Sequence, residues 1–226
     1  PNFKGGSVSE GFDSDSKTSK YLTNKGRSKR EKLLPYARPY WGEYTKTNKG
    51  PGSPTYVGAI IVFLFILGVF YVKSKHKIWI LIVATLAIML GWGQNFLSFS
   101  EFFINYVPAY NKFRAVSMIM ILAQFCIALL AVLALHKFIN DTDLDNKKKK
   151  LKLSFYITGG ITLILALFPS LFFNFLSGND FLIEDSTFKN ALRYDRASML
   201  QSDAFRSFIF ISLSMGVLWM VIKGSI

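Results

Sequence analysis

Two stretches of this chain gather the residue types that handle phosphate. Lys112 and Arg114 follow an aromatic segment and stand just before an uncharged apolar run. Arginine offers a planar fork of N–H donors that pairs with phosphate oxygens, and lysine adds a mobile point charge. A phosphate carried on a lipid would arrive at that level from the bilayer. The same two cations also suit a plainer role, with their stems along apolar surface and their heads among lipid headgroups. The second stretch, residues 187–206 (TFKNALRYDRASMLQSDAFR), lacks Pro and Gly and carries Arg193, Asp195, Arg196, Asp203 and Arg206. Arg193 and Arg196 are three positions apart and Arg196 and Asp203 seven, so these side chains can share one face of an amphipathic helix. As exposed ion pairs they would only support that helix. As a cationic platform they would hold an anionic substrate.

Other chemistry has little to stand on. His76 and His136 are isolated in the sequence, and no His, Cys or acidic group has zinc-ligand spacing. Neither a phosphate-binding glycine loop nor a nucleophile elbow is present. Cys126 is alone, which excludes an intrachain disulfide and leaves it a packing role. The four lysines at 147–150 carry no interleaved aromatic residues for base stacking, so they read as a membrane-orientation signal rather than a nucleic-acid surface. The apolar runs contain essentially no ionisable residue, which argues against an ion-coupled pump.

The elements that position these residues follow from composition. The chain has 226 residues, 51% of them hydrophobic, with a formal charge of +13 and a mean hydropathy of +0.30. Its apolar residues fall in five uncharged runs, 56–72, 78–100, 115–135, 153–179 and 207–222. Each is close to the roughly 20 residues that cross a bilayer core. The expectation is an all-α integral membrane protein with five transmembrane helices and a membrane domain over 56–226. Residues 1–55 are polar and rich in Gly, Ser, Lys and Pro, too poor in apolar residues to offset the entropy of folding alone. They read as a long extramembrane segment with a turn-rich stretch over 35–54.

Basic residues next to membrane spans are retained on the cytoplasmic side. Residues 73–77 (KSKHK) and 137–152 share a face by parity and are assigned there, which puts 1–55, 99–114 and 177–206 outside. Within the first of the short outer loops, Phe99, Phe102, Phe103, Tyr106, Val107 and Tyr110 recur at helical spacing. This predicts an interfacial helix over 99–110, bent or ended near Val107 by Pro108.

Several motifs in order carry a resemblance. Tyr40, Trp41 and Gly42 are followed by residues 50–59 (GPGSPTYVGA), by 92–95 (WGQN) closing the second run, and by 108–114 (PAYNKFR). Later come 191–196 (ALRYDR) and 202–206 (SDAFR). Over roughly residues 36–222 the chain resembles the YfhO-like bacterial membrane proteins, of the GT-C glycosyltransferase type, and reads as a portion of a longer polypeptide. The resemblance implies a polytopic enzyme of the bacterial cytoplasmic membrane. It would take a polyprenyl-phosphate sugar donor and modify an envelope polymer or glycolipid outside. It assigns Lys112 and Arg114 first, then Arg193, Arg196 and Arg206, to the donor phosphate, with Glu101 in reserve for acceptor or metal contact. It leaves the catalytic acid unassigned, as an acidic residue of an outer loop, and identifies no cofactor. Membrane lipids and envelope proteins are the expected partners. The alternative is a noncatalytic membrane subunit anchoring an envelope complex.

Overall fold

The structure, a computed structural model, describes residues 12–37, 57–73, 75–91, 96–108, 119–176, 180 and 182–224. Among these residues the chain is all-helical, with no strand. It divides into two compact units, one of Pro1–Tyr56 with Thr162–Arg206 and one of Val57–Ile161 with Ser207–Ile226. This grouping differs from the expected split at residue 55, because the N-terminal helices share a core with the segment after 180.

The second unit contains helices α3 (Ala59–Tyr71), α4 (Lys75–Gly91), α5 (Leu97–Tyr106) and α6 (Met120–Asn140). It also holds most of α7 (Leu144–Leu167) and the last part of α9 (Ser186–Lys223). Helix α6 packs against both α3 and α4. Its inner face is Leu130, Ala131, Ala134 and Phe138, all fully buried, while Ile121 and Phe125 on the same helix are 67% and 63% exposed. Apolar side chains inside and outside alike fit a helix whose surroundings are hydrocarbon. Small residues let the backbones approach, as between membrane helices generally. A Cβ at Gly68 would lie 2.9 Å from both Leu130 Cγ and the Leu130 carbonyl oxygen, and Ala84 and Ala87 are buried on α4.

Three helices, Met120–Asn140, Leu144–Leu167 and Ser186–Lys223, are long and apolar enough to cross a membrane. These are features of a membrane protein. Among the described residues, not all five apolar runs reach that length as helices. Helix α3 has 13 residues and α4 17, about 20 Å and 26 Å at 1.5 Å per residue, against a core of about 30 Å. The helix expected over 99–110 forms as α5 over Leu97–Tyr106, ending with the Val107 N–H bonded to the Phe103 carbonyl just ahead of Pro108. Its aromatic residues contact one another in sequence, with Phe99 against Phe103 and Phe102 against Tyr106.

The lysine-bearing loops have a structural task as well as a charge. Carbonyls of the last helical turn lack intrahelical partners and carry the negative end of the dipole. Lys77 Nζ donates to the Val69 carbonyl of α3 at 3.0 Å, and the buried Lys147 Nζ donates to the Ile139 carbonyl of α6 at 3.4 Å. Asp143 accepts from the Asn146 N–H at 3.0 Å at the start of α7, and the Tyr71 hydroxyl donates to Asp141.

The first unit contains α1 (Lys17–Thr23), α2 (Arg27–Leu33), a 3-10 turn (Leu34–Tyr36), α8 (Pro169–Phe172) and the first part of α9. Residues 1–55 lack the apolar content to fold alone, and the helices within them meet that shortage from elsewhere. Leu22, Leu33 and Ala37 form one core with Ile183, Phe188 and Leu192. Two carboxylates join the pieces. Asp195 of α9 accepts from the Lys17 and Thr18 backbone N–H groups at the start of α1, at 3.1 and 2.6 Å. Asp185 caps α9 by accepting from the Thr187 and Phe188 N–H groups, both at 3.1 Å, while its other oxygen takes Tyr21 Oη at 2.5 Å and Lys29 Nζ at 2.6 Å. The stretch read as a turn-rich loop, 35–54, falls outside the described residues from 38 onward.

Candidate functional site

The residues 187–206 lie on one unbroken helix, α9, which has no Pro and no internal break from Ser186 to Lys223. Helical spacing then separates its cations by role. Arg196 is buried, 1% exposed, and its Nη1 donates to the Phe175 carbonyl at 2.8 Å and to Asp180 Oδ2 at 2.5 Å. Asp180 is 2% exposed. Arg193, one turn earlier, is exposed and donates through Nε to the Asn174 carbonyl at 3.1 Å. The two arginines thus hold one loop from the same helix face. Phe175, between their carbonyl partners, has a positive φ of 57°, a conformation that side chains beyond Gly and Asn adopt only when held.

Arg206 is 44% exposed at its side chain and stands 4.0 Å from Asp203, one turn away on α9. Glu101 is exposed on α5, in the other unit. Lys112 and Arg114 lie outside the described residues. Of the cations assigned to a donor phosphate, Arg193 and Arg206 therefore sit exposed on one helix, whereas Arg196 faces the protein interior and braces the loop that Arg193 touches.

A cleft of about 450 Å³ opens within the same unit, lined on α9 by Tyr194, the neighbour of Arg193, and by none of the three arginines. Leu167, Phe168 and Leu171 supply an apolar wall, and Tyr194, Ser198 and Gln201 of α9 a polar one. The three polar residues recur at helical spacing and share a face. Lys17 Nζ lies 3.2 Å from the centre of the Tyr194 ring, a cation–π contact that brings the N-terminal helix to the same place. One wall apolar and one wall hydrogen-bonding is the lining an amphiphile requires.

Electrostatics in this unit centre on Asp185. The Lys29 ammonium and the Tyr21 hydroxyl hold its carboxyl well below the ordinary carboxylate range. In return the Asp185 carboxylate raises both Tyr21 and Lys29 above their ordinary values. Asp180 and Asp185 are structural partners that the sequence did not single out, and Asp195, expected in ion pairs along its own helix, instead accepts from the Lys17 and Thr18 N–H groups. Only Asp185 left a local signal, an acidic residue just before a helical stretch where a cap belongs. Among the described residues no group of three or more His, Cys, Asp or Glu side chains could hold a metal ion. No protein-family model, curated protein or solved structure matches the chain.

Proposed function

We propose that this chain is part of a polytopic membrane glycosyltransferase, using a polyprenyl-phosphate-linked sugar to modify an envelope polymer or glycolipid on the outer face of a bacterial cytoplasmic membrane. The observation that carries the reading is the exposed Arg193, anchored through Nε at a braced loop, one residue from the two-walled cleft. The apolar wall suits an isoprenoid chain and the cations its phosphate. In the reaction, an acceptor hydroxyl attacks the anomeric carbon and gives its proton to a carboxylate. The bond from that carbon to the phosphate oxygen breaks, and cations stabilise the departing phosphate. Lys112 and Arg114 are the first candidates for those cations, and Arg193 and Arg206 the second. Arg196 is a positioning residue acting through the loop.

All five apolar runs cross the membrane in this reading, α3 and α4 as short spans. The lysine loops 73–77 and 137–152 lie in the cytoplasm, and 1–55, 99–114 and 177–206 lie outside. The shared core of residues 22–37 and 183–192 supports a common side for the first and last of these segments. The test is transfer from a polyprenyl-phosphate sugar by the intact membrane protein carrying Arg193→Lys. Loss of the planar fork lowers transfer at least about tenfold at unchanged membrane abundance. Normal transfer by the variant removes Arg193 from the site.

A second reading, a noncatalytic subunit anchoring an envelope complex, draws on a different observation. Arg196, Asp195 and Asp185 all serve internal contacts, as they would in a unit built for docking. Under it, wild type transfers no sugar from any polyprenyl-phosphate donor.

A further inference from the structure

The two histidines that stand 60 positions apart in the sequence line one cleft of about 680 Å³ in the second unit. Its walls come from the C-terminal ends of α3 and α6, the start of α4 and the first turn of α7. Lys73, His76, His136 and Lys137 bring four nitrogen-bearing side chains to it, and Asn140 and Asn146 bring two amides. Val72 and Leu133 make the apolar part of the lining. Lys73 and His136 are exposed and Lys137 is half-buried.

Helix C-termini disfavour anions, so the charge balance here needs working out. The end of α3 is already met by Lys77 through the Val69 carbonyl, and the end of α6 by Lys147 through the Ile139 carbonyl. The carboxylate in the lining, Asp141, accepts the Tyr71 hydroxyl and the Asp143 N–H. Lys73 and Lys137 are thus cations beyond those capping the helices, and one carboxylate opposes the two. Counted over its lining residues, the cleft keeps a net positive charge with both imidazoles neutral, while Asp143, outside the lining, acts on Tyr71. It stands where apolar helices end, the level at which phospholipid headgroups lie, and basic pockets between helices are a known way of holding them.

We propose that this cleft binds the phosphate of an anionic phospholipid headgroup, with Lys73 and Lys137 as its charge partners and His76, His136 and Asn140 as hydrogen-bonding groups around it. The site is separate from the polyprenyl-phosphate reading, involves none of the same residues, and stands or falls without it.

The test uses the full chain purified in a neutral detergent and titrated with short-chain phosphatidylglycerol, short-chain phosphatidylcholine and inorganic phosphate, with bound ligand counted by native mass spectrometry. Phosphatidylglycerol binds wild type in preference to phosphatidylcholine. The double substitution of Lys73→Ala with Lys137→Ala weakens it roughly twentyfold, taking each lysine near the usual value for a membrane-surface cation. Lys73→Arg with wild-type Lys137 retains it, and Lys149→Ala, in the lysine cluster but outside the cleft lining, leaves it unchanged. Saturation by inorganic phosphate in competition with the lipid assigns the cleft to free phosphate instead of a headgroup and overturns the lipid assignment. Equal binding of the two lipids, equal loss in Lys149→Ala, or full binding by the double variant overturns the site. Far-UV circular dichroism of each variant separates loss of binding from loss of fold. Should the double variant misfold, Lys73→Gln alone carries the test, with roughly fivefold weaker binding expected and unchanged binding overturning the site.

Discussion

Replacing Asp180 by Asn separates a braced loop from a loop that merely lies on helix α9. The side chains of Arg196 and Asp180 are 1% and 2% exposed, so neither charge can turn to water when its partner is lost. Removing one member of a buried pair costs about 3–5 kcal/mol, because the other charge stays desolvated. The Phe175 carbonyl keeps its hydrogen bond to Arg196 in Asp180→Asn but loses it in Arg196→Met, which adds about 1 kcal/mol to that variant. The double replacement, Asp180→Asn with Arg196→Met, leaves no unpaired charge and destabilises far less than the two single changes added together. Amide hydrogen exchange over residues 173–183 reads the effect locally. About 3 kcal/mol corresponds to roughly a hundredfold faster exchange where opening of this loop governs it. Exchange within about twofold of wild type in Asp180→Asn, or a double variant as destabilised as the sum of the singles, refutes the bracing role of the pair.

Acid should undock the N-terminal helices. The Asp185 carboxyl is depressed by Lys29 and Tyr21, so its stabilisation is fully present above its ordinary value near 3.8 and is lost as pH falls below that value. Near-neutral stability is therefore flat, tryptic cleavage after Lys25 rises only in the acid range probed by a brief low-pH pulse, and Asp185→Asn removes that pH dependence. Tyr21 and Lys29 are raised, so their share is present below pH 10 and declines as pH rises above their ordinary values. Gly68→Ala forces α3 away from α6 at the Leu130 carbonyl and lowers stability by about 1–3 kcal/mol, whereas Gly160→Ala, with nothing within 4 Å of its new Cβ, is tolerated in the same detergent melting assay. With Cys126→Ser as background, a cysteine at Thr142 labels from the cytoplasmic side and one at Lys25 from the outside; labelling of both from one side overturns the five-span topology.

Much of this architecture is legible in the sequence because hydrophobic runs, Pro and Gly act locally. The uncharged run at 115–135 gives α6, the Pro-free stretch 187–206 gives the first part of α9, and Pro108 marks the end of α5. Helix length within a run is less legible: the run at 56–72 yields α3 over only Ala59–Tyr71. Partners distant in sequence leave no local trace. Asp195 meets the start of α1 across 177 positions at Thr18, and Arg196 finds Asp180 across 16, so a cation read as part of a rim turns inward. The histidines illustrate the same limit: each is unremarkable in its own segment, and only the packing of α4 beside α6 lets both line one cleft.

In the proposed function a polyprenyl phosphate docks beside Arg193. A photoreactive short-chain polyprenyl phosphate, added to the intact protein in membranes and mapped by peptide mass spectrometry, tests it directly. Crosslinks are expected at 167–171 and 194–201, the two walls of the smaller cleft, competed by unlabelled polyprenyl phosphate and reduced in Arg193→Lys. Crosslinks spread over exposed apolar residues such as Phe125 and Ile121, without competition and unchanged by the substitution, contradict it.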